Sequence, residues 1–239
     1  MSRKQIKNIF MSNYLWIILL IAINTGCQFQ RGRVSQIRPL PLQTGKIVIL
    51  GFSPAMPQGA ATGVIRSPFS GAVFMAEPIP QDVADKMSAN LFGKLLEYKG
   101  YELIGPNQAS GVFAHLVTSD QGISDIKIFQ RIGQAFSADA VMTGYIYRWR
   151  EREGTDYSVN RPASVAFDIY LVRSKDGAVL WKSRFDKTQK SLSENILDMG
   201  TFLKGKARWM TVDGLAELGL AELLDNSLLA GKENKDNKD

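Results

Sequence analysis

The sequence predicts an α/β (α+β) domain in which helices pack on a single mixed β-sheet, with elements in the order β-α-β-α-β-β-β-α. Three observations lead there. Lys46 to Phe52 (KIVILGF) is a short apolar run bounded by Gly45 and Pro54, the pattern of a strand buried on both faces. Downstream, segments with apolar residues at helical spacing alternate with strand-like runs. From Ala140 onward the period shortens to two, and Lys175-Asp176-Gly177 separates two alternating runs, which marks a hairpin.

After the first strand, Ser53 to Pro80 holds Pro54, Pro57, Pro68, Pro78 and Pro80 and reads as a long loop, a length associated with function or mobility. Within it, Gly59 to Gly63 lacks the Gly-Lys-Ser/Thr that completes a phosphate-binding loop. Pro80 opens a helix with Val83, Met87, Leu91, Leu95 and Tyr98 on one face, ending at Gly100. Tyr101 to Ile104 is a second strand stopped by Gly105-Pro106, and a weaker helical or irregular stretch runs to Gly122. His115, isolated among apolar neighbours, reads as a packing or rim residue. Ser124 is placed to cap a second helix, with Ile123 and Ile128 forming a staple and Ile132, Ala135 and Phe136 continuing the face. Val141, Thr143, Tyr145, Tyr147 and Trp149 alternate along a third strand, Val165, Phe167, Ile169 and Leu171 along a fourth, and Val179, Trp181, Ser183 and Phe185 along a fifth. Ser191 to Glu194 is a capping-box candidate, and Thr211 to Leu229 is a last amphipathic helix offering Leu215, Leu218, Leu223 and Leu228 for burial.

The chain divides into residues 1–26, a signal segment; 27–44, a tether; 45–230, the α/β body; and 231–239, a charged, solvated tail. Met1 to Asn13 carries Arg3, Lys4 and Lys7 and no acid, and Tyr14 to Ile23 is a ten-residue apolar run. A spanning helix needs roughly 20 such residues, so a cleaved signal peptide is expected rather than a permanent span.

The 239 residues carry 29 Lys+Arg and 23 Asp+Glu, a net charge of +6. This excess is uneven. The signal segment holds three basic residues, and Gln28 to Ala76 holds Arg31, Arg33, Arg38, Lys46 and Arg66 with no acid; from Glu77 onward the balance is −2. With the body this close to neutral, neither a basic stripe of the kind that neutralises six to ten phosphates nor a nucleic-acid partner is expected. The arginines of the proline-containing tether suit two roles, contact with anionic lipid headgroups or simple solubility. One Cys and one His exclude a disulfide framework and a multi-Cys/His zinc site. No HExxH, GxSxG, kinase or Rossmann fingerprint occurs, and nothing points to a cofactor, a metal or a catalytic residue.

Cys27 is the one cysteine, and it directly follows Gly26 at the end of the apolar run. Asn24-Thr25-Gly26-Cys27 resembles the lipobox of bacterial lipoproteins, although that family favours Leu where this chain has Asn24. The resemblance implies cleavage between Gly26 and Cys27 and attachment of diacylglycerol and palmitate to Cys27, which becomes the first residue. Gln28, in place of an aspartate, implies sorting to the outer membrane. The body carries a second resemblance: Ser137 to Gly144 (SADAVMTG), Ala166 to Arg173 (AFDIYLVR), the turn Lys175-Asp176-Gly177 and Val179 to Lys182 (VLWK) look like envelope lipoproteins related to the curli-secretion channel (CsgG), the penicillin-binding-protein activator lipoproteins and the amino-terminal domain of TolB. It covers about Gly45 to Leu229 and implies the fold more than any activity.

A curli-type pore also needs two inserted hairpins with apolar outer faces. Glu151 to Pro162 is short and polar, and Asp186 to Met210 has helical spacing, so a pore is disfavoured. Arg148, Arg150 and Arg152 project from one side of a strand end, and Glu151 and Glu153 from the other; with Arg208-Trp209 they are candidate contacts to an acidic partner, or a solvated strand end. The expectation is a non-enzymatic accessory or activator, lipid-anchored at the periplasmic face of the outer membrane, with an envelope protein partner or self-association. A ring-forming export subunit and a periplasmic enzyme are the alternatives.

Overall fold

The computed structural model describes residues 45–119, 124–189 and 209–227. In chain order the elements are β1 (Gly45–Pro54), β2 (Gly63–Arg66), β3 (Val73–Ala76), α1 (Gln81–Leu95), β4 (Tyr101–Ile104), α2 (Pro106–Ser119), α3 (Asp125–Ala135), β5 (Ala140–Arg150), β6 (Glu153–Gly154), β7 (Val159–Arg161), β8 (Ser164–Arg173), β9 (Val179–Thr188) and α4 (Val212–Asp225). The main sheet is mixed, with strand order β4-β1-β5-β8-β9. β1 runs parallel to both β4 and β5, whereas β5, β8 and β9 form an antiparallel meander.

The chain adds β4 on one side of β1 and β5 on the other, so successive right-handed crossovers place helices on opposite faces. On one face, Met87, Leu91 and Leu95 of α1 and Leu215, Leu220 and Leu224 of α4 meet Ile47 and Ile49 of β1 and Phe167, Ile169 and Leu171 of β8. On the other, Ala109 of α2 and Ile128, Phe129 and Ile132 of α3 meet Val48, Val141, Tyr170 and Val172. β1 and β8 thus bury both faces, as continuous apolar strands of a covered sheet do.

The expected linear order lacks five elements, β2, β3, α2, β6 and β7. The segment from Ser53 to Pro80, expected as a loop, folds its middle into the β2–β3 hairpin, whose inner side chains pack with Met56, Tyr147 and Ala166. Residues 106–119 form α2, begun by Pro106 at a position where a missing N–H costs nothing; His115 is exposed on it. Residues 153–161 carry the small β6–β7 ribbon. Ser124 does occupy the N-cap of α3, but its side chain makes no capping hydrogen bond. Thr211 does cap α4, accepting from the Gly214 amide at 3.2 Å. Ile123, the Ser191–Glu194 box, Leu228, the 27–44 tether and the 231–239 tail lie outside the described residues.

Close packing of α1 on β1 depends on one irregularity. The register slips between Ile49 and Gly51, leaving Leu50 as an extra residue, and Gly51 adopts φ +81°, which glycine tolerates best. A Cβ there would also lie 2.3 Å from Ser88 Oγ. The Phe52 amide donates to Ser88 Oγ at 2.7 Å, and that hydroxyl donates to the Ala84 carbonyl, also at 2.7 Å. Ser88→Ala strands the buried Phe52 N–H, so urea denaturation should show a loss of about 1–3 kcal/mol; an unchanged midpoint would contradict this role of the hydroxyl.

Candidate functional site

β8 alternates Val165, Phe167, Ile169 and Leu171 on one face with Ala166, Asp168, Tyr170 and Val172 on the other. Asp168 is fully buried. Its cross-strand neighbours are Tyr145 on β5 and Arg184 on β9, and a register shift between Ile146 and Arg148 inserts Tyr147 as an extra residue on β5. The Tyr147 hydroxyl donates to Asp168 Oδ2 at 2.9 Å, and the Tyr170 hydroxyl donates to the same oxygen. Tyr170 in turn bonds to Ser67 Oγ and lies 3.3 Å from Ser70 Oγ, while the Ser70 hydroxyl donates to Ser67 Oγ at 2.8 Å. With the single Tyr170 proton committed to the carboxyl group, the chain of donors runs Ser70, Ser67, Tyr170, Asp168.

Aromatic packing surrounds this network. Phe74 of β3 stacks on Tyr147 with ring centroids 4.0 Å apart and planes 10° from parallel. Phe69, in the turn between β2 and β3, lies edge-on to Tyr170 at 4.8 Å and tilted to Phe129 at 5.9 Å. The Tyr145 hydroxyl reaches Asp125 Oδ2 at 3.0 Å, joining α3 to the sheet. Burial is the main cause that pushes the Asp168 carboxyl up to about 6, against the hydrogen bonds from Tyr170 and Tyr147 that pull it down. Burial likewise raises Tyr145, Tyr147 and Tyr170 far above the usual phenol range. Asp168 Oδ1 has no hydrogen-bond partner, which further disfavours the ionised form. Chemically, the cluster is a clasp: it fixes the hairpin on the sheet through a carboxyl group that gains or loses a proton near pH 6.

The sequence-predicted arginines stand at the far end of β5, each bound within the chain. Arg148 donates from Nε to Ser164 Oγ at 2.7 Å and pairs with Asp186 of β9. Arg150 pairs with Glu77 Oε2 at 2.7 Å, and the other oxygen of Glu77 accepts from the Trp149 amide at 3.1 Å. Arg152 pairs with Asp156 and donates to the Trp209 carbonyl. The Arg148 and Arg152 side chains are only 11% and 14% exposed, Arg150 37%. Glu151 turns to α4, where its carboxylate accepts from the Val212 amide at 3.2 Å, favourable at a helix N-terminus. Glu153 pairs with Arg161 across the β6–β7 ribbon. Trp209 is half-buried. The structure thus brings Arg152 and Trp209 together and gives Arg148 and Arg150 separate carboxylates. Gly26, Cys27 and Arg208 lie outside the described residues.

Among the described residues, no group of three or more His, Cys, Asp or Glu could hold a metal ion, and no helix is long and apolar enough to cross a membrane. The Asp168 clasp was missed by sequence reasoning, although a single acid inside an otherwise apolar strand was its visible signal. Ser67 and Ser70 gave no comparable sign.

No protein family and no curated protein matches the chain. Among solved structures it is similar to the PelC dodecamer from Paraburkholderia phytofirmans, at 14% identity over 83% of this chain and 97% of that one, with a TM-score of 0.40. It is similar to lipoprotein GNA1162 from Neisseria meningitidis, at 17% identity over 76% and 99%, TM-score 0.40. The C-terminal domain of LpoB from Salmonella enterica aligns at 12% identity over 62% and 84%, TM-score 0.37. At these scores no residue here is matched to a role in any of them.

Because the folded-state value of Asp168 lies above its ordinary 3.8, the native state holds the extra proton between those two values. The stabilisation it gives is complete below pH 3.8 and is lost as pH rises through about 6. Asp168→Asn removes that dependence: the stability difference between wild type and variant should change by about 2 kcal/mol between pH 4 and 7. Parallel pH profiles from denaturant unfolding would refute it.

Proposed function

We propose that this chain is a lipid-anchored, non-enzymatic lipoprotein on the periplasmic face of the outer membrane that acts as an accessory or activator by binding another envelope component. The carrying observation is the position of Cys27, immediately after Asn24-Thr25-Gly26 and the apolar run from Tyr14 to Ile23. Acyl chains contribute about 0.8 kcal/mol per buried CH₂, so two or three of them hold the protein on a bilayer without help from the body. The body is then free to bind a partner. Its charge balance of −2 from Glu77 onward and the internal pairing of Arg148 and Arg152 argue against a contact driven by net positive charge. Arg150 and Trp209 keep part of their surface available and are the contact candidates retained at that end of the sheet.

Cys27→Ser should abolish incorporation of radiolabelled palmitate and reduce recovery of the protein with outer membranes. A wild type that takes up no palmitate, together with a variant that stays in the membrane fraction, would overturn the anchoring. Crosslinking in intact cells should then capture one recurrent envelope protein; capture of this chain alone would favour self-association instead.

A further inference from the structure

The β2–β3 hairpin has two chemically different faces. Phe74 and Ala76 turn inward and are buried, whereas Val64, Arg66, Val73 and Met75 turn outward. Val64 pairs with Met75 and Arg66 with Val73 across the ribbon, so the four side chains form one continuous face. Val64, Val73 and Met75 keep 68%, 52% and 54% of their surface exposed. A strand face in water ordinarily carries polar residues; this one carries aliphatic side chains and a cation.

The surrounding sequence departs from the rest of the chain in the same direction. Charged residues make up 22% of the protein, yet Arg66 is the only one between Ser53 and Ala76, and no acid occurs from Gln28 to Ala76. Arg148, Arg150 and Arg152 each meet a carboxylate. Arg66 donates to the Gly71 carbonyl at 3.0 Å, a neutral acceptor that leaves its charge in place. The exposure is held in position, because Phe74 is stacked on Tyr147 and Ser67 is bonded to Tyr170 on the opposite side of the ribbon.

We infer that the outward face of the β2–β3 hairpin docks on the surface of an anionic lipid bilayer, with Val64, Val73 and Met75 in the interfacial layer and Arg66 on headgroup phosphates. Aliphatic insertion joined to a basic side chain is the interfacial pattern. A protein partner would be expected to find an aromatic anchor there, but the aromatics of this hairpin, Phe69 and Phe74, are turned into the body. The inference rests on the membrane attachment proposed above only for proximity.

The test uses the full chain with Cys27→Ser and a single reporter cysteine, Met75→Cys, labelled with an environment-sensitive NBD fluorophore. Phosphatidylcholine vesicles containing phosphatidylglycerol should shift its emission to the blue, and doxyl-labelled lipid should quench it. The same label at Leu96→Cys, exposed at the end of α1 on the other side of the sheet, should remain in water. Arg66→Gln should weaken the vesicle response about fivefold, and circular dichroism should confirm that these surface variants fold. A Met75 label that stays in water, that behaves like the Leu96 label, or that responds equally to pure phosphatidylcholine overturns the inference. So does a shift without vesicles that grows with protein concentration, which would identify a second copy as the occupant. Failure of lipidation is read separately, from palmitate incorporation in wild type.

Discussion

A carboxyl group placed in the middle of a covered sheet must be surrounded by donors, because an ion without them is too costly to bury. Asp168 meets this demand with two tyrosines, one on its own strand and one delivered by the extra residue of β5. The position of the β2–β3 hairpin follows from that choice. Tyr170 extends the network to Ser67, and Tyr147 offers the ring on which Phe74 stacks. The hairpin makes no ladder with the main sheet, so this mixed polar and aromatic seat does for it what backbone pairing does for the other strands.

Glu77, just after β3, carries the same organisation to the end of the sheet. Its amide donates to the Tyr147 carbonyl at 2.8 Å, and its carboxylate holds the Trp149 amide and the Arg150 guanidinium. Beyond it, Glu151 and Arg152 bind the start of α4 and the Trp209 carbonyl. Charged residues at the end of β5 and just beyond it therefore connect the segment after β3, β9 and the start of α4. Exposed ion pairs contribute little individually, but partly buried ones that also satisfy backbone groups fix geometry.

The five main strands were legible from local signals, a continuous apolar run for β1, the Gly105-Pro106 stop for β4, and period-two alternation with the Lys175-Asp176-Gly177 turn for β5, β8 and β9, and α1 was legible from its stripe of Met87, Leu91 and Leu95. The hairpin between Ser53 and Pro80 was not. Five prolines outweighed two strands of four residues each, and those strands are stabilised by distant residues, Tyr147 and Tyr170, that no local window contains. The arginines of β5 were correctly placed at a strand end, but their partners are Glu77 and Asp186, 73 and 38 residues away. Spacing along a strand shows where a charge stands; it does not show which distant carboxylate will neutralise it. Asp168 was visible as an anomaly, whereas its consequence depended on a bulge that only the three-dimensional register exposes.

The place of β1 at the heart of the sheet also sets the order in which the chain can assemble. Ile47 pairs with Leu103 on one side and with Ala140 on the other, so the first strand made closes its ladders only across the longest loops of the body. Closing such loops costs more entropy than closing the turn at Gly177, and high sequence separation slows folding. By this criterion the β5-β8-β9 meander, whose pairings are the most local in the sheet, is expected to form before β1 is closed in between β5 and β4. A chain with this topology keeps its N-terminal strand without its ladder partners until residues 101–104 and 140–146 are available to it.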